Sequence, residues 1–284
     1  MMWKDSYRLG VERIDNQHIE LFRMTEDLVR AVSENATMEA YQKALGFLKE
    51  YVIYHFRDEE EYQASIHYSG AKAHKEEHRR FTQTVLNYEK ALEKNGFDLE
   101  TMKDLVGTVT AWLIYHVVDT DQKIVSGEDL SKAEASGDHL SELFAGCALD
   151  VMSSMAGMDL SGVQRYGEQE FTAQGDIYIE LELVGDTQGV VALGFPKELA
   201  LYLIHSMTMM ELQELDELVQ SALCELTNIS CGNAATALAN RGLACDIKPP
   251  VVSRRIAAGD KVTGTYADTQ AGRLETVLFV KDPA

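Results

Sequence analysis

Apolar residues return every three or four positions through most of the first 117 residues of this 284-residue chain. His18, Leu21, Phe22, Leu28, Val29 and Val32 share one stripe of residues 17–35, and similar stripes run through about 38–62, 71–94 and 99–117. Helix-ending residues at Ser33–Thr37, Ser69–Gly70 and Asn95–Gly96 interrupt the pattern. Four helices with connections this short predict an all-α, up-and-down four-helix bundle.

The pattern changes after a polar, charged stretch, Ser126–Asp138. Beyond it a helix is expected over Ser141–Met155, then a strand over 170–184 on the alternation of Ile177, Ile179, Leu181 and Leu183. Gly185-Asp186 turns into a second strand, Gly189–Phe195, and Pro196 opens a helix over roughly 197–209. A long helix follows from about Asp216 to Asn240, with Gly242 placed to end it. Pro249-Pro250 opens a β-rich tail that closes with Glu275–Val280. This half reads as α+β, with helices packed on a mostly antiparallel sheet. Two domains are therefore expected, 1–127 and 138–284, with a linker at 128–137.

Composition narrows the partners. Net charge is −20, and both halves are acidic: 16 Lys+Arg against 24 Asp+Glu over 1–130, and 10 against 22 over 131–284. Such a surface repels phosphate backbones and anionic headgroups, so neither nucleic acid nor membrane is an expected partner. The start, MMWKDSYRLG, has no apolar run of signal-peptide length, and no later stretch reaches membrane-span length. A cytoplasmic location is expected. Cys147, Cys224, Cys231 and Cys245 lack CxxC spacing and read as free thiols in a reducing compartment.

The candidate chemistry lies on the polar interruptions of the helical stripes. His55 and Glu59 are i,i+4, as are His74 and His78, which stacks each pair on one helical face. His18 shares a face with Leu21 and Phe22, and His116 follows Trp112 and Leu113. Asp121 stands five residues after His116, where the last helical turn should loosen. Burying seven ionisable groups without partners would cost several kcal/mol apiece, on the order of an unpaired buried charge each. Metal coordination removes that cost. Five imidazoles and two carboxylates suit two iron ions bridged by the carboxylates, with one position open for a small ligand. A shell so rich in neutral histidine should favour reversible O₂ binding over O–O cleavage. His67, His139 and His205 fall outside the spacing, and Glu60 and Glu61 read as a solvated face.

These residues carry a resemblance. Trp3, Ile14-Asp15-x-Gln17-His18, His55-Phe56-x-x-Glu59-Glu60, His74-x-x-x-His78, Trp112-Leu113-x-x-His116 and Asp121 make residues 1 to about 125 similar to bacterial hemerythrins. The resemblance implies a non-haem di-iron centre in an O₂-binding domain that is not itself an enzyme. His74, His78 and His116 would hold one iron, and His18 and His55 the other, which takes O₂. Glu59 and Asp121 would bridge together with an oxo or hydroxo group. Phe56, Trp112 and Leu113 would shape an apolar O₂ pocket. Asp119 is an extra acid within this segment.

In the long helix, Glu225 and Asn228 are i,i+3 beside the stripe Leu218, Ala222, Leu226 and Ile229, and Gly232 follows one turn on. With Gly242, Pro249-Pro250-x-Val252 and Gly194-Phe195-Pro196, the segment resembles the CheC/CheX chemotaxis phosphatases over roughly 138–284. That implies dephosphorylation of the aspartyl phosphate of a CheY-like response regulator, with Mg²⁺ held by the regulator alone. Domains of this type also pair through sheet edges, which would give a homodimer. The joint reading is a sensor of O₂ or redox state that controls a phosphatase. The competing readings are an O₂ store with a docking or dimerising domain, and an oxidative di-iron enzyme.

Overall fold

A computed structural model describes residues 3–34, 37–95, 98–126, 140–158, 162–166, 172–256 and 262–280. The chain divides into two compact units, the first built on the helices within residues 1–130 and the second on residues from 131 onward. The linker expected at 128–137 lies outside the described residues.

The first unit is a four-helix bundle of α1 (Glu12–Ser33), α2 (Met38–Ser65), α3 (Ala71–Asn95) and α4 (Leu99–Tyr115). α1 and α3 each pack against both α2 and α4. α1 starts earlier than its stripe suggested, because Ile14 is wholly buried and extends that stripe toward the N-terminus. Two starts are fixed by side-chain caps: Thr37 accepts from the Ala40 N–H, and Asp98 accepts from the Thr101 N–H at 2.8 Å. Leu21, Leu28, Leu92, Leu105 and Val106 fill the interior, each worth about 1.5–3 kcal/mol as a buried aliphatic side chain. Asp15 fastens the segment ahead of α1, since its carboxylate accepts from the N–H groups of Leu9 (2.7 Å) and Gly10 (3.2 Å).

α4 does not end in an ordinary cap. Residues His116–Thr120 form one π-helical turn, and the Asp121 N–H donates to the His116 carbonyl at 2.8 Å, five residues back. A short α5 (Gln122–Ser126) follows. The loosening expected at Asp121 is thus a single-residue expansion of the helix.

The second unit contains α6 (Leu140–Ala156), β1 (Gln164–Arg165), β2 (Ile177–Gly185), β3 (Gly189–Phe195), α7 (Lys197–Thr208), α8 (Glu217–Asn240), β4 (Cys245–Ile247), β5 (Val251–Ser253), β6 (Val262–Thr269) and β7 (Gly272–Val280). The sheet is antiparallel throughout, in the order β1-β6-β7-β3-β2-β4, and β5 also pairs with β2. β4 and β5 are two pieces of one edge, separated where Pro249 and Pro250 remove the N–H donors that a ladder needs. α6 and α8 pack on each other, α6 against β6 and β7, and α8 against β2, β4 and β5. Gly242, at φ +82°, follows the end of α8 in the left-handed conformation expected of it.

The strand expected over 170–184 begins only at Ile177. Residues 170 and 171 lie outside the described residues. Nearer the strand, the Gln174 and Gly175 N–H groups donate to the carboxylate of Glu275 instead of to a neighbouring strand. Glu275 is wholly buried on β7, where it also accepts from the hydroxyls of Tyr166 (2.8 Å) and Tyr178 (2.6 Å). Tyr178, Gly194 and Glu275 stand in cross-strand register, so the Tyr178 ring lies over Gly194 to reach the acid. A Cβ at Gly194 would sit 2.3 Å from that ring. Gly194→Ala should therefore destabilise the second unit by about 1–3 kcal/mol through overpacking and a strained Tyr178–Glu275 hydrogen bond. Urea unfolding followed by far-UV circular dichroism measures this, and an unchanged midpoint would refute the close packing.

Candidate metal centre and candidate helix site

The bundle brings all seven predicted donors together at its centre. His18, His55, Glu59, His74, His78, His116 and Asp121 are each at most 2% exposed. They fall into two sets that share a carboxylate: Glu59 with His74, His78 and His116, and Glu59 with His18, His55 and Asp121.

The distances test whether metal ions fit. Donors bound about 2.1 Å from one ion at right angles lie about 3 Å apart. The Nε2 of His116 lies 3.1 Å from that of His74 and 2.9 Å from that of His78. Glu59 Oε1 is 2.9 Å from His74 Nε2, and Asp121 Oδ1 is 3.2 Å from His74 Nε2 and 3.1 Å from His116 Nε2. The other oxygens face the other set: Asp121 Oδ2 is 3.1 Å from His18 Nε2, and Glu59 Oε2 is 3.4 Å from His55 Nε2. Each carboxylate thus turns one oxygen to each set. Five donors converge on one side and four on the other.

Hydrogen bonding does not account for this convergence. Both nitrogens of His18, Glu59 Oε2 and both oxygens of Asp121 are buried without a hydrogen-bond partner, although His18 Nε2 and Asp121 Oδ2 are close. Buried polar atoms left so are costly, and a cation at each focus satisfies them. The residues fit two metal ions.

Around the donors stands a second layer of side chains. His55 Nδ1 meets Gln17 Oε1 at 3.1 Å, and Gln63 donates to Glu59. Glu60 Oε1 lies 3.4 Å from His78 Nδ1, and Glu77 Oε2 lies 3.7 Å from His116 Nδ1. Glu60 is therefore not only the solvated acid that its neighbours in sequence suggested. Asp119 turns away from the donors and pairs with Lys123. Phe56 stacks on His78 with ring centroids 3.7 Å apart, and Trp112 stacks on His116 at 4.2 Å. Both rings stack on the three-histidine set, and Phe56 also approaches His55, with ring centroids 5.8 Å apart. Leu113 is buried, and Trp3 approaches His18 at 6.3 Å.

In the second unit, α8 starts from Asp216, whose carboxylate caps the Val219 N–H. Its buried face is kept apolar because Thr227 and Ser230 return their hydroxyls to the Leu223 and Leu226 carbonyls. Glu225 and Asn228 lie half-buried beside that face, and a Cβ at Gly232 would meet open space. No cation pairs with Glu225 among the described residues, and burial pushes its carboxyl up to about 7. No disulfide joins the four cysteines among the described residues, and burial raises the thiols of Cys147 and Cys231.

Without metal, protons take over the balancing of charge at the bundle centre. Burial opposes charge on His74 and His116, but contacts to Asp121 and Glu59 outweigh it and raise them to about 9 and about 10. Burial and the neighbouring His116 charge lower His78 to about 2, and burial lowers His55. Burial also opposes charge on Glu59 and Asp121, but their histidine contacts hold both below the usual carboxylate range. The raised pair stabilises the fold below the ordinary histidine value of about 6.5 and loses that contribution as pH climbs through 9 and 10. The lowered histidines penalise the fold as pH falls below about 6.5, and the two carboxylates add to that loss below about 4.5. The metal-free protein should be most stable near pH 6.5, falling by about 1.4 kcal/mol per pH unit for each proton exchanged. Metal displaces the protons of His74 and His116 and should abolish the alkaline limb. Thermal unfolding of chelator-treated and reloaded protein across pH 4–10 checks both limbs.

Comparison with known proteins agrees with the two units. Residues 9–126 match the family described as the hemerythrin HHE cation binding domain, and residues 177–258 match the one described as chemotaxis phosphatase CheX. A bacteriohemerythrin of Clostridium acetobutylicum is 29% identical over 128 residues, which cover 44% of this chain and 98% of that protein. One of Pseudomonas paraeruginosa is 28% identical over 146 residues, 50% of this chain and 93% of its own length. A crystal structure of a CheX chemotaxis protein from Desulfovibrio desulfuricans overlays with a TM-score of 0.46 at 23% identity, covering 50% of this chain and 99% of that one. The chain joins an N-terminal hemerythrin HHE domain to a C-terminal CheX domain.

Proposed function

We propose that the chain is a cytoplasmic sensor in which a non-haem di-iron centre governs dephosphorylation of a CheY-like response regulator. The observation that carries this reading is the pair of buried donor sets sharing Glu59 and Asp121, in a chain that also bears the Glu225/Asn228 helix. His74, His78 and His116 would hold one iron and His18 and His55 the other, with Glu59 and Asp121 each turning one oxygen to each set. Bound iron supplies reversible O₂ binding and a change of oxidation state. The protein's part is to hold the donors in place around the two positions, to exclude water, and to leave the four-donor set room for a small ligand. Trp3 closes over His18, while Phe56 and Trp112 shield the three-histidine set.

At the other site the chemistry belongs largely to the partner, which brings the acyl phosphate, Mg²⁺ and a lysine. Asn228 orients a water in line with the phosphorus. As the water oxygen bonds to phosphorus, the bond to the aspartyl oxygen breaks, leaving a carboxylate and inorganic phosphate. Glu225, as a carboxylate, pairs with the lysine and sets register. The covalent path onward from Asp121 carries the coupling between the two activities. Coupling requires that the two states of the phosphatase differ in affinity for the iron ligand.

Dephosphorylation of a phosphorylated response regulator should proceed at rates differing at least about fivefold among diferrous, O₂-exposed and diferric protein. Equal rates in all three would end the sensor reading and leave an O₂ store with a docking domain. Asn228→Ala should slow the reaction by about 100-fold, as expected for lost positioning. Partner affinity should fall as pH drops below about 7, where Glu225 takes up a proton, and Glu225→Gln should remove that dependence. A titration of the regulator by fluorescence anisotropy across this range reads the effect directly.

A further inference from the structure

The outward nitrogens of the histidines differ between the two donor sets. In the three-histidine set, His78 Nδ1 faces the Glu60 carboxylate at 3.4 Å and His116 Nδ1 faces Glu77 at 3.7 Å, while His74 Nδ1 has no hydrogen-bond partner. In the other set, His55 Nδ1 faces the uncharged Gln17 Oε1 at 3.1 Å, and His18 Nδ1 has no hydrogen-bond partner.

Gln17 has no freedom in this role. Its Nε2 donates to Asp58 Oδ2 at 2.8 Å, so the amide oxygen must be the atom turned to His55. An amide oxygen only accepts, so His55 must carry its proton on Nδ1 and direct the Nε2 lone pair inward. Asp58 is itself buried. Its carboxylate meets the Gln17 amide on one side and the Arg13 guanidinium on the other. Arg13, half exposed, reaches Asp58 through its backbone oxygen (3.1 Å) and its Oδ2 (3.6 Å). A line of contacts therefore runs from a surface arginine through Asp58 and Gln17 to His55. The negative charge stops one residue short of the imidazole.

An imidazole whose N–H faces a carboxylate is a stronger donor than one facing a neutral oxygen. We propose that Gln17 is a positioning residue that fixes the His55 tautomer and withholds charge from it. The His18/His55 position thereby becomes the weaker of two unequal metal positions. This rests on the reading that the two donor sets hold metal. The inequality leaves the four-donor ion poorer in electron donation, which suits a position that must bind and release a neutral ligand.

The test is anaerobic titration of the metal-free full-length protein with Co²⁺, followed by visible absorption. Wild-type protein should take up two ions in resolved steps. Gln17→Leu should weaken the second step about 10- to 100-fold and leave the first within about twofold. Gln17→Glu combined with Asp58→Asn keeps the hydrogen bond with its polarity reversed and moves the carboxylate onto His55. That variant should tighten the second step and bring the two together. A residue that merely fills space would weaken both steps in both variants, and that result overturns the inference. Resolved wild-type steps that neither variant alters would overturn it as well. Failure of wild-type protein to bind two ions would instead remove the metal reading beneath it. Nitrogen-15 NMR of the Zn²⁺-loaded protein gives an independent readout: His55 should be protonated on Nδ1 in wild type.

Discussion

Two carboxylates buried among five imidazoles are the constraint on which the bundle depends. Glu59 and Asp121 are wholly buried, and neither has an Arg or Lys beside it among the described contacts. Their charge must be met by protons on histidine or by metal, and each solution has its own consequence. Protons hold the fold together only over a limited pH range, while metal binding is coupled to folding and releases them. The helices accordingly serve a charge problem as much as an apolar core. Aromatic rings packed on His78 and His116 keep water from solving it.

The second unit shows the opposite treatment of a buried acid. Glu275 is as inaccessible as Glu59, yet two tyrosine hydroxyls and two backbone N–H groups satisfy it completely. It asks for no cation and works as a clamp on the loop ahead of β2. Glu225 is a third case, half-buried with no cation paired to it among the described residues. The three acids differ in whether donors already surround the carboxylate: Glu275 is fully met by protein donors, while Glu59 and Glu225 are not.

Six of the seven central donors were legible in the sequence because helical spacing places them on inward faces, and Asp121 because a loosened last turn after His116 brings an i,i+5 residue to the same side. The four helices and the long strands β2, β3 and β7 were legible for the same reason, since burial imposes its period on the residues, while β1 and the division of the tail into β4, β5 and β6 were not. Gln17, Glu60 and Glu77 were not recognisable as partners of His55, His78 and His116. Their role depends on the rotation of neighbouring helices, which periodicity within one helix does not encode. The late start of β2 escaped because its cause, Glu275, lies 101 residues from Gln174 in the chain. Phe56 and Trp112 could be read as apolar neighbours of the centre, but not as rings lying against one donor set.

The π-turn at His116–Thr120 bears on how the bundle could have arisen and what it tolerates. An α-helix rotates about 100° per residue, so one extra residue in the turn sets the azimuth of all that follows. Asp121 reaches the centre only because of that offset, and α5 inherits it. Single-residue insertions and deletions elsewhere in α4 would be absorbed poorly. Here, the extra residue of the turn is itself the feature that brings Asp121 beside His74 and His116. Without that extra residue the four helices would remain while the Asp121 carboxylate would turn away from both donor sets.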